Sequence, residues 1–220
     1  MKIDKVILKE NRILDMTEPI PGKVLFEELK DKDSIILAAN VRIIPGVAEG
    51  IFRAAKDLDS AVIFEIAKSE CNLNVGYTGM RPCDYAAYIK AAASKVGVDI
   101  WVLHADHITL KKGTSEDIAE AKQLIDSQIE HGFTSFAIDA SYLFDVSKKD
   151  IRDALSQNID VTTELAKHIE SKIKGTLYGL EVEVGEIGKK NEHEWTNKWI
   201  EYLENPVNHP DPPQRIQTET

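Results

Sequence analysis

The chain has 220 residues, 43% of them hydrophobic, and a formal charge of −10 from 27 basic and 37 acidic residues. That composition suits one domain with a buried core, and its negative field repels nucleic-acid phosphates and anionic lipid heads, so neither partner is expected. No apolar run reaches the roughly 18 residues of a membrane span, and the opening MKIDKVILKENR lacks a signal-like apolar stretch, so the chain reads as cytoplasmic, with Cys71 and Cys83 as reduced thiols.

From about residue 33 short apolar runs alternate with amphipathic stretches, as in repeated βα units. The first strand is expected over residues 34–40 (SIILAAN), followed by a helix over 45–58 with Val47, Ile51, Ala54 and Leu58 on one face. A second strand, 61–66 (AVIFEI), leads into the polar stretch 72–81, a loop or a lid, and then into a helix opened by Pro82 and stopped by Gly97. The third strand, 99–104 (DIWVLH), gives way to a loop carrying Asp106 and His107. A helix capped by Thr114 or Ser115 follows, with Ile118, Ala121, Leu124, Ile125 and Ile129 on one stripe and its end at Gly132. The fourth strand is 134–139 (TSFAID). The next helix is capped by Asp160 and ends at Gly175, before a fifth strand over 176–184 (TLYGLEVEV). Phe52, Phe64, Tyr85 and Tyr88 stand at core-like spacings.

Five strands alternating with four helices fit either an open doubly wound sheet or a (β/α)8 barrel, and periodicity does not choose between them. Neither G-x-G-x-x-G nor G-x-x-x-x-G-K-[ST] follows the first strand, which removes the two common nucleotide-binding fingerprints. The polar residues stand at C-terminal strand ends, where both architectures build active sites: Asn40, Glu65, then His104, Asp106 and His107, then Asp139, then Glu181 and Glu183. In V-L-H-A-D-H, imidazole and carboxylate groups at a strand end suit divalent-metal binding and proton transfer; alternatively one histidine caps the next segment and Asp106 makes a loop hydrogen bond. Period-2 geometry puts Glu181 and Glu183 on one side of their strand, where two like charges are costly without a cation.

Residues 40 to 188 resemble the class II, metal-dependent fructose-bisphosphate aldolases and their tagatose-type relatives. The resemblance rests on AANVRIIPGVAEGIFRAAKDLDSAVIFE, on LHADH, on SEDIAEAKQLIDSQIEHGFTSFAIDAS and on LEVEVGEIG, in that order. It implies a (β/α)8 barrel of which about five strands are present, dividing the chain into an N-terminal extension (1–32), a partial barrel (33–190) and a Pro-rich tail (191–220). It further implies a zinc-dependent lyase acting on a phosphorylated sugar, with Asp106 as the acid/base, His107 as a ligand of the catalytic zinc, Asp139 and Glu183 as carboxylates that hold a metal in a second position near the same site, and Asn40 at the substrate end of the first strand. The family's other two histidine ligands lie in N-x-H-G and H-G-G-S-G motifs, and these 220 residues contain neither. His193 and His209 are expected to face solvent, and Glu192 stands one place from a family glutamate. The competing reading is a catalytically inactive, truncated or frameshifted fragment acting at most as an interaction partner. Open strand edges predict self-association into a homo-oligomer.

Overall fold

The computed structural model describes residues 18–32, 34–145 and 147–185. Glu192, His193, His209 and the tail over 191–220 lie outside the described residues, as do residues 1–17 of the N-terminal extension. The elements in chain order are helix α1 (Gly22–Leu29), strand β1 (Leu37–Asn40), α2 (Val47–Asp57), β2 (Val62–Ala67), α3 (Pro82–Val96), β3 (Trp101–Thr109), α4 (Ser115–Glu130), β4 (Ser135–Asp139), a 3₁₀ turn (Ser141–Leu143), α5 (Ile151–Ile173) and β5 (Gly179–Glu183). All strand pairs are parallel, in the spatial order β1-β2-β3-β4-β5. This α/β sheet of sequential parallel strands is the arrangement expected of a barrel wall.

Alternation along the strands sorts the side chains onto two faces. Phe64, Ile66, Leu103, Ala105, Phe136 and Ile138 point to the outer face and are buried under Phe52 of α2, Tyr85 and Ile89 of α3, Ile125 of α4, and Leu165 and Ile169 of α5. Phe52 packs its ring 4.5 Å from Phe64, and truncating either to alanine would cost about 3–5 kcal/mol. On the inner face, Ala61, Ile63, Ile100 and Val102 form an apolar floor covered by Ile20 and by Val24 and Leu25 of α1. The Ile20 amide donates to Trp101 O at 2.8 Å and the Gly22 amide to Thr134 O at 3.1 Å, which pins α1 to the entries of β3 and β4. The apolar floor leaves the polar inner residues at the strands' C-terminal ends.

Helix punctuation follows the expected chemistry in three cases. Pro82 opens α3 and Gly97, at φ 71°, closes it; Thr114 Oγ1 accepts from the Asp117 amide at the start of α4. The fourth expectation needs correction: α5 starts at Ile151, capped by Asp150, and Asp160 sits inside it. The early turns hide their amphipathic face because its buried row, Ala154, Leu155, Asn158, Val161 and Thr162, includes two polar residues. The third strand also departs from expectation. It runs on through Thr109 rather than ending at His104, so Asp106 and His107 are strand residues.

Candidate metal centre

In β3 and β4, Ala105 pairs with Phe136 and Ile108 with Ile138, so two residues, Asp106 and His107, oppose only Ala137. This β-bulge inserts one extra residue, and His107 takes a left-handed backbone with φ 41° to accommodate it. A regular strand would send adjacent residues to opposite faces. The bulge instead lets both the Asp106 and the His107 side chains serve the inner face, at a backbone cost of about 1–3 kcal/mol.

His107 is the hub. Its Nδ1 lies 2.7 Å from Glu183 Oε1 and 3.4 Å from Asp139 Oδ2, and its Nε2 lies 3.8 Å from Asp106 Oδ1. Hydrogen bonds to Asp139 and Glu183, against a smaller opposing effect of burial, raise its pKa to about 11, so without a cation the ring is an imidazolium balancing carboxylates. Asp139 is buried, which pushes its carboxyl up. Hydrogen bonds from His107, from the Ser141 hydroxyl and amide and from the Thr109 hydroxyl outweigh that and hold it at about 2. The ends of β4 and β5 are tied by Asn158 of α5, whose buried Nδ2 donates to Ala140 O at 2.8 Å and Glu183 O at 3.0 Å.

Ligand atoms of His107, Asp139 and Glu183 lie within 4.8 Å of one another. One imidazole and two carboxylates form a donor set suited to zinc, and donors at about 2.0–2.2 Å from a shared ion stand at most about 4.4 Å apart, so small side-chain rotations suffice. The set fits a divalent cation. Of the five residues to which the family resemblance gives roles, four, Asp106, His107, Asp139 and Glu183, therefore come together. Asn40 stands apart at the end of β1, where its Nδ2 donates to Glu70 Oε2 at 2.8 Å and its Oδ1 accepts from Arg42.

Glu70, Arg42 and Tyr77, which surround Asn40, were not singled out by sequence reasoning. This buried carboxylate accepts from the Ala67 amide at 2.9 Å and the Tyr77 hydroxyl at 2.6 Å, and pairs with Arg42 at 2.5 Å. Burial pushes the Glu70 carboxyl up, but its donors win and leave it below the ordinary glutamate range. The polar stretch 72–81 is thus folded over this carboxylate. Gly76, at φ 54°, lies so close to Glu70 that an added Cβ would meet its carbonyl oxygen at 2.2 Å. No local motif announces such a network; the only signal was a glutamate and an arginine at two adjacent strand ends.

His104 lies deeper on the inner face. Burial, with the charge of His107, lowers its pKa to about 4, which leaves a neutral ring whose Nδ1 is 2.8 Å from Ser135 Oγ. Among the described residues no helix is long and apolar enough to cross a membrane.

A family model described as fructose-bisphosphate aldolase class-II matches residues 21–207, and the chain belongs to that family. Among curated relatives, it is 28% identical over 103 residues to the D-tagatose 6-phosphate 4-epimerase of Agrobacterium fabrum, covering 44% of this chain and 24% of that protein. It is 29% identical, over the same length and shares, to the D-tagatose-1,6-bisphosphate aldolase subunit GatZ of Salmonella typhimurium. The matched stretch thus spans about a quarter of the length of these relatives. A solved structure described as a probable tagatose 6 phosphate kinase from Sinorhizobium meliloti superposes with a TM-score of 0.55 at 19% identity, over 77% of this chain and 44% of that one, a likeness of fold.

Proposed function

We propose that this site is that of a zinc-dependent class II aldolase, cleaving a ketose bisphosphate of the fructose or tagatose type into two triose phosphates. The observation that carries the reading is the meeting of His107, Asp139 and Glu183, with Asp106 beside them, on the inner face of a parallel sheet. Membership of the family and the likeness to an aldolase subunit support it. His107, Asp139 and Glu183 would hold the ion. When bound, a divalent cation supplies Lewis-acid stabilisation of the negative charge that develops on substrate oxygens as the carbon–carbon bond breaks.

The chain's own residues do the rest. Asp106 takes the proton from the hydroxyl whose carbon becomes the aldehyde, and returns it in the condensation direction. Asn40, oriented by Glu70 and Arg42, presents its amide to the substrate from the end of β1. We read the chain as cytoplasmic and self-associating, the latter because Ile35 and Leu37 beside the β1 edge are 98% and 60% exposed. A monodisperse monomer by light scattering would contradict self-association.

The catalytic reading is tested by coupled detection of triose phosphate from fructose 1,6-bisphosphate and tagatose 1,6-bisphosphate, with zinc and with EDTA. Slow cleavage that EDTA removes and that Asp106→Asn lowers further is the expected result. Cleavage indifferent to both would overturn the reading.

A further inference from the structure

The inner face carries another donor set beside the one just described. Parallel register places Glu65 of β2 directly opposite His104 of β3, and Ala67 opposite Asp106, so Glu65, His104 and Asp106 share the inner face where their strands run side by side. One ligand atom from each lies within 4.8 Å of the others. Glu181 of β5 approaches from the far side, its Oε2 3.5 Å from His104 Nε2. We propose that Glu65, His104 and Asp106 form a second divalent-cation site, with Glu181 as its fourth donor, distinct from the His107 centre and bordering it.

The imidazole is held as metal-binding imidazoles are held. A histidine ligand presents one ring nitrogen to the ion while the other is fixed by a hydrogen bond from behind, which sets the ring's orientation. Here Ser135 Oγ engages Nδ1 at 2.8 Å, which leaves Nε2 as the atom turned toward Glu181. His104 and Ser135 are 3% and 0% exposed, so the support is built into the fold rather than acquired from solvent. Two glycines make room for it: a Cβ on Gly22 would meet Ser135 Oγ at 2.7 Å, and one on Gly179 would meet it at 2.4 Å. The arrangement is therefore an oriented imidazole with a dedicated buried partner, and not merely a gathering of acids.

Charge points the same way. Three carboxylates converge on one imidazole in a layer bounded below by the apolar floor of Ile63 and Val102. Half-buried carboxylates brought together repel one another, and a divalent cation among them offsets that cost. Imidazole with several carboxylate oxygens suits a first-row ion such as zinc or manganese better than calcium. Asp106 lies between the two sets, with Oδ1 3.8 Å from His107 Nε2. A carboxylate has two oxygens, so one bond to this ion leaves the other free for the proton transfer assigned to Asp106.

This site goes beyond the aldolase reading, and one experiment separates the two. The metal-free chain is titrated with zinc alone, and bound zinc is counted by mass spectrometry after desalting, for the unaltered chain, Glu65→Gln and Glu183→Gln. Two ions in the unaltered chain and one in each variant are expected. A single ion lost in Glu65→Gln and kept in Glu183→Gln would support the new site while sinking the metal assignment at His107. A single ion lost only in Glu183→Gln, no bound ion at all, or an unchanged count in Glu65→Gln would overturn the proposal. Anomalous scattering from zinc-soaked crystals of the unaltered chain decides the matter if the variant does not fold: a peak between Glu65, His104 and Asp106 supports it, and a peak confined to His107, Asp139 and Glu183 overturns it.

Discussion

His107 Nδ1 lies 2.7 Å from Glu183 Oε1, although the two residues belong to strands separated by β4. The contact exists because the bulge in β3 turns His107 toward the inner face while period-2 alternation turns Glu183 toward the same face. Glu181 shares that face one layer deeper and meets His104 instead. Glu183→Gln should therefore abolish zinc binding at the His107 centre, whereas Glu181→Gln should leave that ion in place. Isothermal titration of the two substitutions in a Glu65→Gln background, where only the His107 centre is expected to bind, checks this, and equal losses there would mean that Glu183 is no more a ligand of that ion than Glu181 is.

Asp106 and His107 are neighbours in the chain with different work. His107→Ala should remove both the ion of its centre and any turnover that depends on it. Asp106→Asn keeps the shape of the side chain but loses the carboxylate that accepts the proton, and Asp106 is not among the ligands of the His107 ion, so the variant should retain zinc there and lower the EDTA-sensitive cleavage rate by roughly 10²–10⁴-fold. Undiminished cleavage in Asp106→Asn would remove it from the mechanism.

Asn158 holds the metal centre from behind. Its single amide group donates to Ala140 O and Glu183 O, which fixes the ends of β4 and β5 and with them the spacing of Asp139 and Glu183. Asn158→Ala removes a donor from Ala140 O, which keeps the Leu143 amide, and the Asn158 donor from the part-buried Glu183 O, two hydrogen bonds together worth about 1–3 kcal/mol. The chain should unfold at lower urea and bind zinc more weakly at His107, while Asn158→Asp, which cannot donate at neutral pH, should do no better. A wild-type zinc affinity in both variants would show that the strand ends hold their spacing unaided.

Strand positions and the polar strand ends were legible because buried parallel strands read as unbroken apolar runs, and because Asn40, Glu65, Asp139 and Glu183 interrupt those runs at one end. What the sequence concealed was non-local. The bulge at Asp106–His107 depends on how β4 pairs, so LHADH read by itself looked like a strand ending in a loop. The Glu70 network joins residues 30 and 28 positions apart, Asn40 and Arg42, with Tyr77 closing it, and no periodicity marks such a set. The onset of α5 was hidden because a polar residue, Asn158, occupies its buried row to serve the strand ends.

The Glu70 cluster gives a pH dependence with a defined sign. Its folded pKa is depressed, so the stabilisation is present above the unfolded glutamate value of about 4.3 and is lost as pH falls through the lower folded value. Urea midpoints should fall between pH 6 and pH 3, and Glu70→Gln should be less stable at pH 6 while losing part of that acid sensitivity. Gly76→Ala should also destabilise, at every pH, because its Cβ would collide with Glu70 backbone rather than with a charge. An acid response identical in Glu70→Gln and the unaltered chain would place the titrating groups elsewhere.

Catalysis by the 220-residue chain itself is expected to be slow. A catalytic zinc ordinarily has three protein ligands and an open position for substrate, and the His107 centre offers three: one imidazole and two carboxylates. The N-x-H-G and H-G-G-S-G motifs that the family resemblance associates with two further histidines and a phosphate grip do not occur in these 220 residues. Bound zinc is thus expected without the groups that would hold a bisphosphate against it, and catalysis falls steeply when substrate and catalytic groups sit even about 1 Å out of line. The purified chain should therefore bind zinc yet cleave fructose or tagatose 1,6-bisphosphate far more slowly than the roughly 1 s⁻¹ at the low end of ordinary enzymes. The coupled triose-phosphate assay with added zinc measures this directly. Turnover at or above that rate would mean that residues outside the described ones, or a second copy of the chain, supply the substrate contacts.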